Sequence, residues 1–325
     1  MNTELSFTDS VEVASGVFCI PTDYPQVADA PLWVYLVRDR NRVSAMIDCG
    51  VPTTYDAVLA DALPGLGIDP TEIEWLILTH GHTDHMGGHA SLRRHTSFSV
   101  AAPLEDVIWI QAVERQWHDF WDCWPGVFSL EADRDAIVGM CGGDLPVDHI
   151  LRDGEVFEVG DRRLEVVQTR GHTRGHCAFF ERETGITFTG DSIQGHGISA
   201  SSGTSVFAPL YDDADDYVRG LERLRALPFT LLCPAHQAPL GREAGLAFID
   251  DSIRFVGDAD ELVRNLIQGA QGPLTAVEVA AELGRFVGTN PPVSIQTVYA
   301  ATAHLRQAAR AGLVEPLWAP TGRST

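Results

Sequence analysis

The stretch Thr79-His80-Gly81-His82-Thr83-Asp84-His85-Met86-Gly87-Gly88 follows directly on the apolar run Trp75-Leu76-Ile77-Leu78. The run reads as a buried strand, and it stops where three imidazoles and a carboxylate crowd into six residues. Residues two apart on an extended strand end project to the same side, so His80 and His82 can share one ion. The turn that follows swings Asp84 and His85 towards a second ion, and Gly87-Gly88 lets the chain bend sharply into a helix. A histidine-rich loop can be a surface accident, but here the remaining ligand types recur downstream.

They recur at strand ends. Gly171-His172-Thr173-Arg174-Gly175-His176 comes after the alternating strand Arg163-Leu164-Glu165-Val166-Val167. Thr187-Phe188-Thr189-Gly190-Asp191-Ser192 is a strand running into a carboxylate, and Leu231-Leu232-Cys233-Pro234-Ala235-His236 is a short apolar strand ending on a histidine. Each candidate ligand sits where a strand stops, which is the logic of a site built at the edge of a sheet.

On these residues, with Met46-Ile47-Asp48-Cys49-Gly50 ahead of them, the chain resembles the metallo-β-lactamase-fold hydrolase superfamily, HxHxDH type. Its five motifs occur in order between residues 11 and 245. The resemblance implies an α/β fold, a four-layer αβ/βα sandwich, in which Asp48 braces the ligand loop. It implies that His80, His82 and His172 hold one ion, that Asp84, His85 and His236 hold a second, and that Asp191 bridges them. Two divalent ions are therefore expected; zinc suits the set, and iron, manganese and cobalt also accept histidine and aspartate. Such a pair lowers the pKa of a shared water to about neutrality, so that metal-bound hydroxide attacks a carbonyl. Asp84 would orient it and carry a proton to the leaving group as the catalytic residue. The expected activity is hydrolysis of an ester, thioester, lactone or amide.

Departures from known subgroups narrow this expectation. The commonest zinc β-lactamases carry arginine where this chain has His85, and a cysteine ligand later, so antibiotic hydrolysis is not the expected activity. Acyl-homoserine lactonases carry a tyrosine three residues after the bridging aspartate, where Gln194 stands here. Nothing obvious supplies the glutathione clamp of glyoxalase II, because the chain has no lysine at all. That absence also excludes Schiff-base and P-loop lysines.

The chain has 325 residues, 45% of them hydrophobic, enough for one large α/β domain and a small appendage. Its net charge of -22 argues against nonspecific affinity for nucleic acid or an anionic membrane. Residues 1–6 have neither a basic nor an apolar leader character, no run reaches transmembrane length, and the six cysteines follow no disulfide or zinc-finger spacing. A cytoplasmic protein with buried free thiols is expected.

Residues 11–20, 32–37 and 43–48 read as strands around a loop at 21–31. In the superfamily that loop overhangs the metal site, which makes Tyr24 and Trp33 candidate pocket walls. Thr53 or Thr54 can cap a helix stopped by Pro64-Gly65. Residues 103–150 are the least standard part, an aromatic helical insertion. Leu104, Val107, Ile108, Val113, Trp117, Phe120, Trp121 and Trp124 form its apolar stripe. The stripe suits a core, a lid that selects an apolar or aromatic acyl substrate, or a homodimer contact. His118 and His149 read as ordinary polar residues, His176 as a residue behind the ligands or in the pocket wall, and His196 as a solvated loop histidine. Strands follow at 155–159, 162–169, 177–182 and 186–190, then a helix at 211–227.

The catalytic domain is expected to end at residue 243 and a helical, winged-helix-like domain to occupy 244–325. Its elements are a helix over 243–267, helices capped by Thr275 and Ser294, and a possible hairpin at 313–318. Arg306 and Arg310 are the only basic groups on the candidate recognition helix, so packing or dimerisation is favoured over DNA readout. Two further readings stay open at this stage: a mononuclear iron dioxygenase of the persulfide type, and a nuclease or nucleic-acid-binding protein.

Overall fold

The apolar runs settle into two sheets in the computed structural model, which describes residues 9–22, 24, 30–124, 126–200 and 202–314. The first sheet holds β1 (Val11–Ala14), β2 (Val17–Pro21), β3 (Trp33–Arg38), β4 (Ser44–Ile47), β5 (Ile73–Ile77), β6 (Ser99–Pro103) and β7 (His149–Leu151), side by side in that order. The second contains β8 (Val156–Val159), β9 (Arg162–Gln168), β10 (Cys177–Glu181) and β11 (Ile186–Gly190). The short hairpin β12 (Ile198–Ser199) and β13 (Ser205–Phe207) stands apart, and β14 (Leu231–Pro234) and β15 (Leu240–Gly241) complete the second sheet beyond β11. The strand expected over 11–20 is two strands joined by a tight turn through Gly16.

Strands β4 to β7 pair in parallel, and so do β11 and β14, while the other pairs are antiparallel. Parallel strands deliver their carboxyl ends to one edge, the position where open α/β sheets place their ligands. The ends of β4, β5, β11 and β14 and the β9–β10 loop meet there. A backbone bond from Cys177 N–H to Thr79 O (3.0 Å) ties the two sheets together at this edge.

Three apolar clusters separate four layers. One lies between the sheets and contains Trp33, Tyr35, Phe157, Phe179 and Phe188. A second packs Tyr55, Leu59, Leu63 and Met86 against the outer face of the first sheet. The third joins the outer face of the second sheet to the C-terminal helices through Leu221, Phe229, Val256, Leu283 and Tyr299.

The C-terminal helices begin where capping chemistry places them. Thr275 and Glu278 form a reciprocal capping box ahead of the helix Ala276–Val287, and Ser294 and Thr297 form another ahead of Ile295–Arg310. Thr54 behaves otherwise: it makes no cap bond, and its hydroxyl accepts instead from Val51 N–H (2.9 Å). The hairpin expected at 313–318 falls mostly outside the described residues. Arg306 bonds Asp212 and Arg310 pairs with Asp213 and Asp215, which docks the last helix onto the start of the helix Ala214–Ala226.

The insertion is a chain of short pieces rather than one amphipathic helix: Val107–Ile110, Val113–Gln116, a π-helical turn Trp117–Trp121 and Arg134–Met140. The π turn re-aims successive aromatic rings. Trp117, Phe120 and Trp124 are buried, whereas Leu104 and Ile108 at the head of the stripe are exposed.

Candidate metal centre

All seven histidines and aspartates singled out as ligands come together at the shared sheet edge. Their ligand atoms form three overlapping groups, each within 4.8 Å: His80, His82 and His172; His80, His85 and Asp191; and Asp84, His85 and His236. Asp191 straddles them. Its Oδ2 lies 3.4 Å from His172 Nε2, and its Oδ1 lies 3.4 Å from both His85 Nε2 and His236 Nε2. His236 Nε2 is also 3.3 Å from Asp84 Oδ2.

A second tier of bonds decides which ring nitrogen faces inward. His172 Nδ1 bonds Leu210 O (2.9 Å), His236 Nδ1 bonds Pro31 O (2.8 Å) and His85 Nδ1 bonds Asp48 Oδ2 (2.8 Å). Each donation turns Nε2 towards the centre, the arrangement by which outer partners fix metal-binding imidazoles. Asp48 also accepts from Thr79 N–H and Thr79 Oγ1, both at 2.8 Å, from a left-handed backbone position (φ +57°). A non-glycine residue in that region is strained and is held by its surroundings. His176 lies behind the ligands, its Nε2 accepting from Asp191 N–H (3.1 Å) and its Nδ1 beside the Thr169 and Ser192 hydroxyls. Gly190 fits at φ +47° because a Cβ there would come within 2.6 Å of Thr79 Oγ1.

The polar atoms left over test whether this set suits a cation. His80 Nε2, His85 Nε2 and Asp191 Oδ1 are buried with no hydrogen-bond partner, and His82 Nδ1 and His172 Nε2 face one another at 2.9 Å. Buried polar atoms left without a partner are costly inside a protein unless a bound cation satisfies them. The electrostatics agree. Burial opposes a charged imidazole at His236, yet the Asp191 and Asp84 carboxylates carry it up to about 10. His85 is pushed well above the ordinary histidine range by Asp191, Asp84 and Asp48, again against burial. Burial would raise Asp84, but His85 and His236 hold it down at about 2. The carboxylates are short of positive charge, and the donor set of imidazoles and carboxylates fits divalent ions of the zinc, iron or manganese type.

A pocket opens above this floor. Phe120 and Trp121 from the insertion, Ile198 and Phe207 from the β12–β13 hairpin, and Ile295 and Gln296 from the last helix form its walls. Tyr24 closes one side with its ring stacked 6.1 Å from that of His236 and its hydroxyl bonded to Asp84, and burial, then the Asp84 and Asp191 charges, keep the phenol protonated. Trp33, expected beside it, is buried between the sheets instead. Its strand is buried on both faces, so alternation does not tell which way a side chain points. His118 is exposed, His149 sits on β7 against Glu155, and His196 is an exposed loop residue 3.4 Å from Asp251.

Sequence reasoning missed Asp106, which is wholly buried under the ligand loops, and Ile295 and Gln296, which reach the pocket from far along the chain. Burial pushes the Asp106 carboxyl up to about 6, against hydrogen bonds from Thr173, Gly175 and Gly81 that lower it. Glu105-Asp106 looks like any acidic pair at a helix start, so nothing local marked it.

A sequence profile of the metallo-beta-lactamase superfamily matches residues 29–236. The chain belongs to that superfamily. Among its relatives, the beta-lactamase-like protein 2 homolog of Caenorhabditis elegans is 25% identical over 193 residues, 59% of this chain and 51% of that protein. A hydroxyacylglutathione hydrolase of Methylococcus capsulatus is 27% identical over 173 residues, 53% of this chain and 51% of that enzyme. The chain thus spans about half the length of the curated relatives it matches. Among solved structures, a metallo-beta-lactamase family protein from Thermus thermophilus superposes with a TM-score of 0.70 at 23% identity, covering 93% of this chain and 95% of its own. A beta-lactamase domain protein from Burkholderia ambifaria gives 0.69 at 22% identity, covering 96% and 91%. Both likenesses extend past the profile match into the C-terminal helices and speak to the superfamily fold. Among the described residues, no helix is long and apolar enough to cross a membrane.

Proposed function

We propose that this superfamily member is a dinuclear metal-dependent hydrolase acting on an uncharged, apolar or aromatic acyl substrate: an ester, thioester or lactone. The observation that carries the reading is the convergence of His80, His82, Asp84, His85, His172, Asp191 and His236, several with buried polar atoms that have no hydrogen-bond partner, beneath an apolar-walled pocket. His80, His82 and His172 would hold one ion, Asp84, His85 and His236 the other, with Asp191 between them. When bound, the ions supply an acidified water and polarise the carbonyl, which is the chemistry this ligand set supports. Asp84 is the catalytic residue of the protein itself. Held ionised beside His236, its Oδ2 orients the attacking water and takes the proton that later reaches the leaving group.

The walls set the substrate class. None of the described residues lining the pocket is an arginine, and residues 21–31 contain no basic residue at all. The two arginines of the neighbouring cleft, Arg174 and Arg306, lie against Asp212. The relatives named hydroxyacylglutathione hydrolases act, by that name, on a thioester whose peptide part carries carboxylates. A chain of net charge -22 with no arginine among the described residues lining the pocket offers no side chain to pair with those carboxylates and is poorly suited to such a substrate. The docking of Arg306 and Arg310 onto aspartates likewise supports a packing role for the last helix rather than nucleic-acid binding.

Metal content by mass spectrometry on protein purified without added metal, paired with a panel of aryl esters, lactones and S-lactoylglutathione, tests the reading. Two ions per chain are expected, with neutral aryl esters or lactones preferred over the glutathione thioester by about 10²-fold in kcat/KM. A single iron, oxygen consumption and no hydrolysis would overturn it in favour of the dioxygenase.

A further inference from the structure

The insertion does more than wall the pocket. Asp106, at its head, has a side chain with no solvent exposure, and its carboxylate accepts three hydrogen bonds from two different ligand loops. Oδ2 accepts from Gly81 N–H (3.1 Å) and from the Thr173 hydroxyl (2.6 Å), and Oδ1 accepts from Gly175 N–H (2.8 Å). Gly81 lies between His80 and His82 on the first sheet, and Thr173 is the neighbour of His172 on the second. A second insertion residue, the fully buried Gln116, donates through Nε2 to Gly81 O, so the peptide between the two histidines is held on both sides.

We propose that Asp106 is the positioning residue that sets the His80–His82 segment in register with the His172 loop, and that the insertion thereby defines the geometry of the site formed by these three histidines. This rests on the dinuclear reading above. Burying a carboxylate costs several kcal/mol unless its surroundings compensate, so a charge here needs a reason. The reason is acceptor capacity. All three partners are donors pointing inward, and of the residues of this size only aspartate accepts from all of them, since asparagine would turn an NH2 towards one of the donors. The backbone is shaped to the same contact: a Cβ on Gly175 would lie 2.6 Å from Asp106 Oδ1. Asp84, His85 and His236 receive no bond from Asp106 or Gln116, so their site should not feel the change.

The test is cobalt(II) binding to the metal-free full-length chain, followed by absorption and calorimetry, for the wild type, Asp106→Asn, Thr173→Val and Thr173→Ser. His82→Ala and His236→Ala mark which transition belongs to which site. The wild type should bind two ions. Asp106→Asn should weaken the transition that His82→Ala abolishes by about 10- to 100-fold, the range for outer partners of metal ligands, and leave the other unchanged. Thr173→Val should weaken the same transition less, and Thr173→Ser, which keeps the hydroxyl, should match the wild type. If Asp106→Asn does not fold, the Thr173 pair decides alone. Wild-type affinity at both sites in Asp106→Asn and Thr173→Val would overturn the proposal, and so would an equal loss at both sites. A wild type that binds no cobalt would instead overturn the dinuclear reading, and this proposal with it.

Discussion

The floor and the walls of the pocket are made from different kinds of sequence. The floor is seven side chains at and just beyond strand ends, three of which, His85, His172 and His236, are oriented by the outer partners Asp48, Leu210 O and Pro31 O. The walls are apolar residues from three segments remote from one another: a π-helical turn, a hairpin of very short strands and the first turn of the last helix. The floor is dense in hydrogen bonds, whereas the walls are held mainly by packing, with few bonds such as Trp121 Nε1 to Gln116 Oε1 (3.4 Å). Chemistry is therefore expected to be brittle to substitution and substrate choice to be tolerant of it.

The sharpest way to break this contrast is at the floor. His82→Ala should lower ester turnover by about 10³-fold or more, with one ion retained. Retention of most activity, read by single-turnover kinetics with metal analysis, would remove the distinction. Phe120 is the one wall residue expected to behave as structure, because it packs on His82 on one side and stacks on Tyr299 on the other. Phe120→Ala should cost about 3–5 kcal/mol in urea unfolding. A cost below about 1 kcal/mol would place it with the ordinary wall residues.

The pH dependence of stability probes the underside of the floor. The folded Asp106 carboxyl, at about 6, titrates above its ordinary value of 3.8, so its ionisation disfavours the fold. Its contribution is therefore complete below about pH 4 and is lost as pH rises through about 6, on the order of 3 kcal/mol. Urea unfolding from pH 4 to 7 should show that slope in the wild type and not in Asp106→Asn. Equal slopes would show that the carboxyl is not confined as described. At the walls, Ile295→Ala should raise KM for apolar acyl substrates by about 10-fold with kcat nearly unchanged. A fall in kcat instead would make the last helix part of the floor. The smallest expected effect is chemical. The floor thiols Cys49 and Cys177, buried and shifted well above the ordinary thiol range, should stay silent to a disulfide reagent in the native state. The half-buried Cys123 in the insertion should react first.

The same contrast accounts for what could be read from the chain. Strand ends bearing histidine and aspartate are legible because few other residue types serve there, and because buried strands leave unbroken apolar runs. The helix starts at Thr275 and Ser294 were legible through their capping residues. Walls leave no such trace. Trp121 and Ile295 face the pocket only because a π turn and a helix docking angle aim them there, and neither is a local property of the sequence. Trp33 was misplaced for a related reason, since a strand buried on both faces has no polar side from which to judge orientation. Asp106 was invisible because its partners lie 25 and 67 to 69 residues away.

The ring contacts His82–Phe120–Tyr299, tilted and then stacked with centroids 4.5 and 4.8 Å apart, run from the floor to the last helix. Two equilibria that look separate, occupation of the ion site and docking of the C-terminal helices, therefore share a component. By reciprocity, whatever free energy one contributes to the other must be returned. An ion that steadied His82 would then tighten the seating of a helix more than two hundred residues along the chain, and loosening that helix would weaken the hold on the ion.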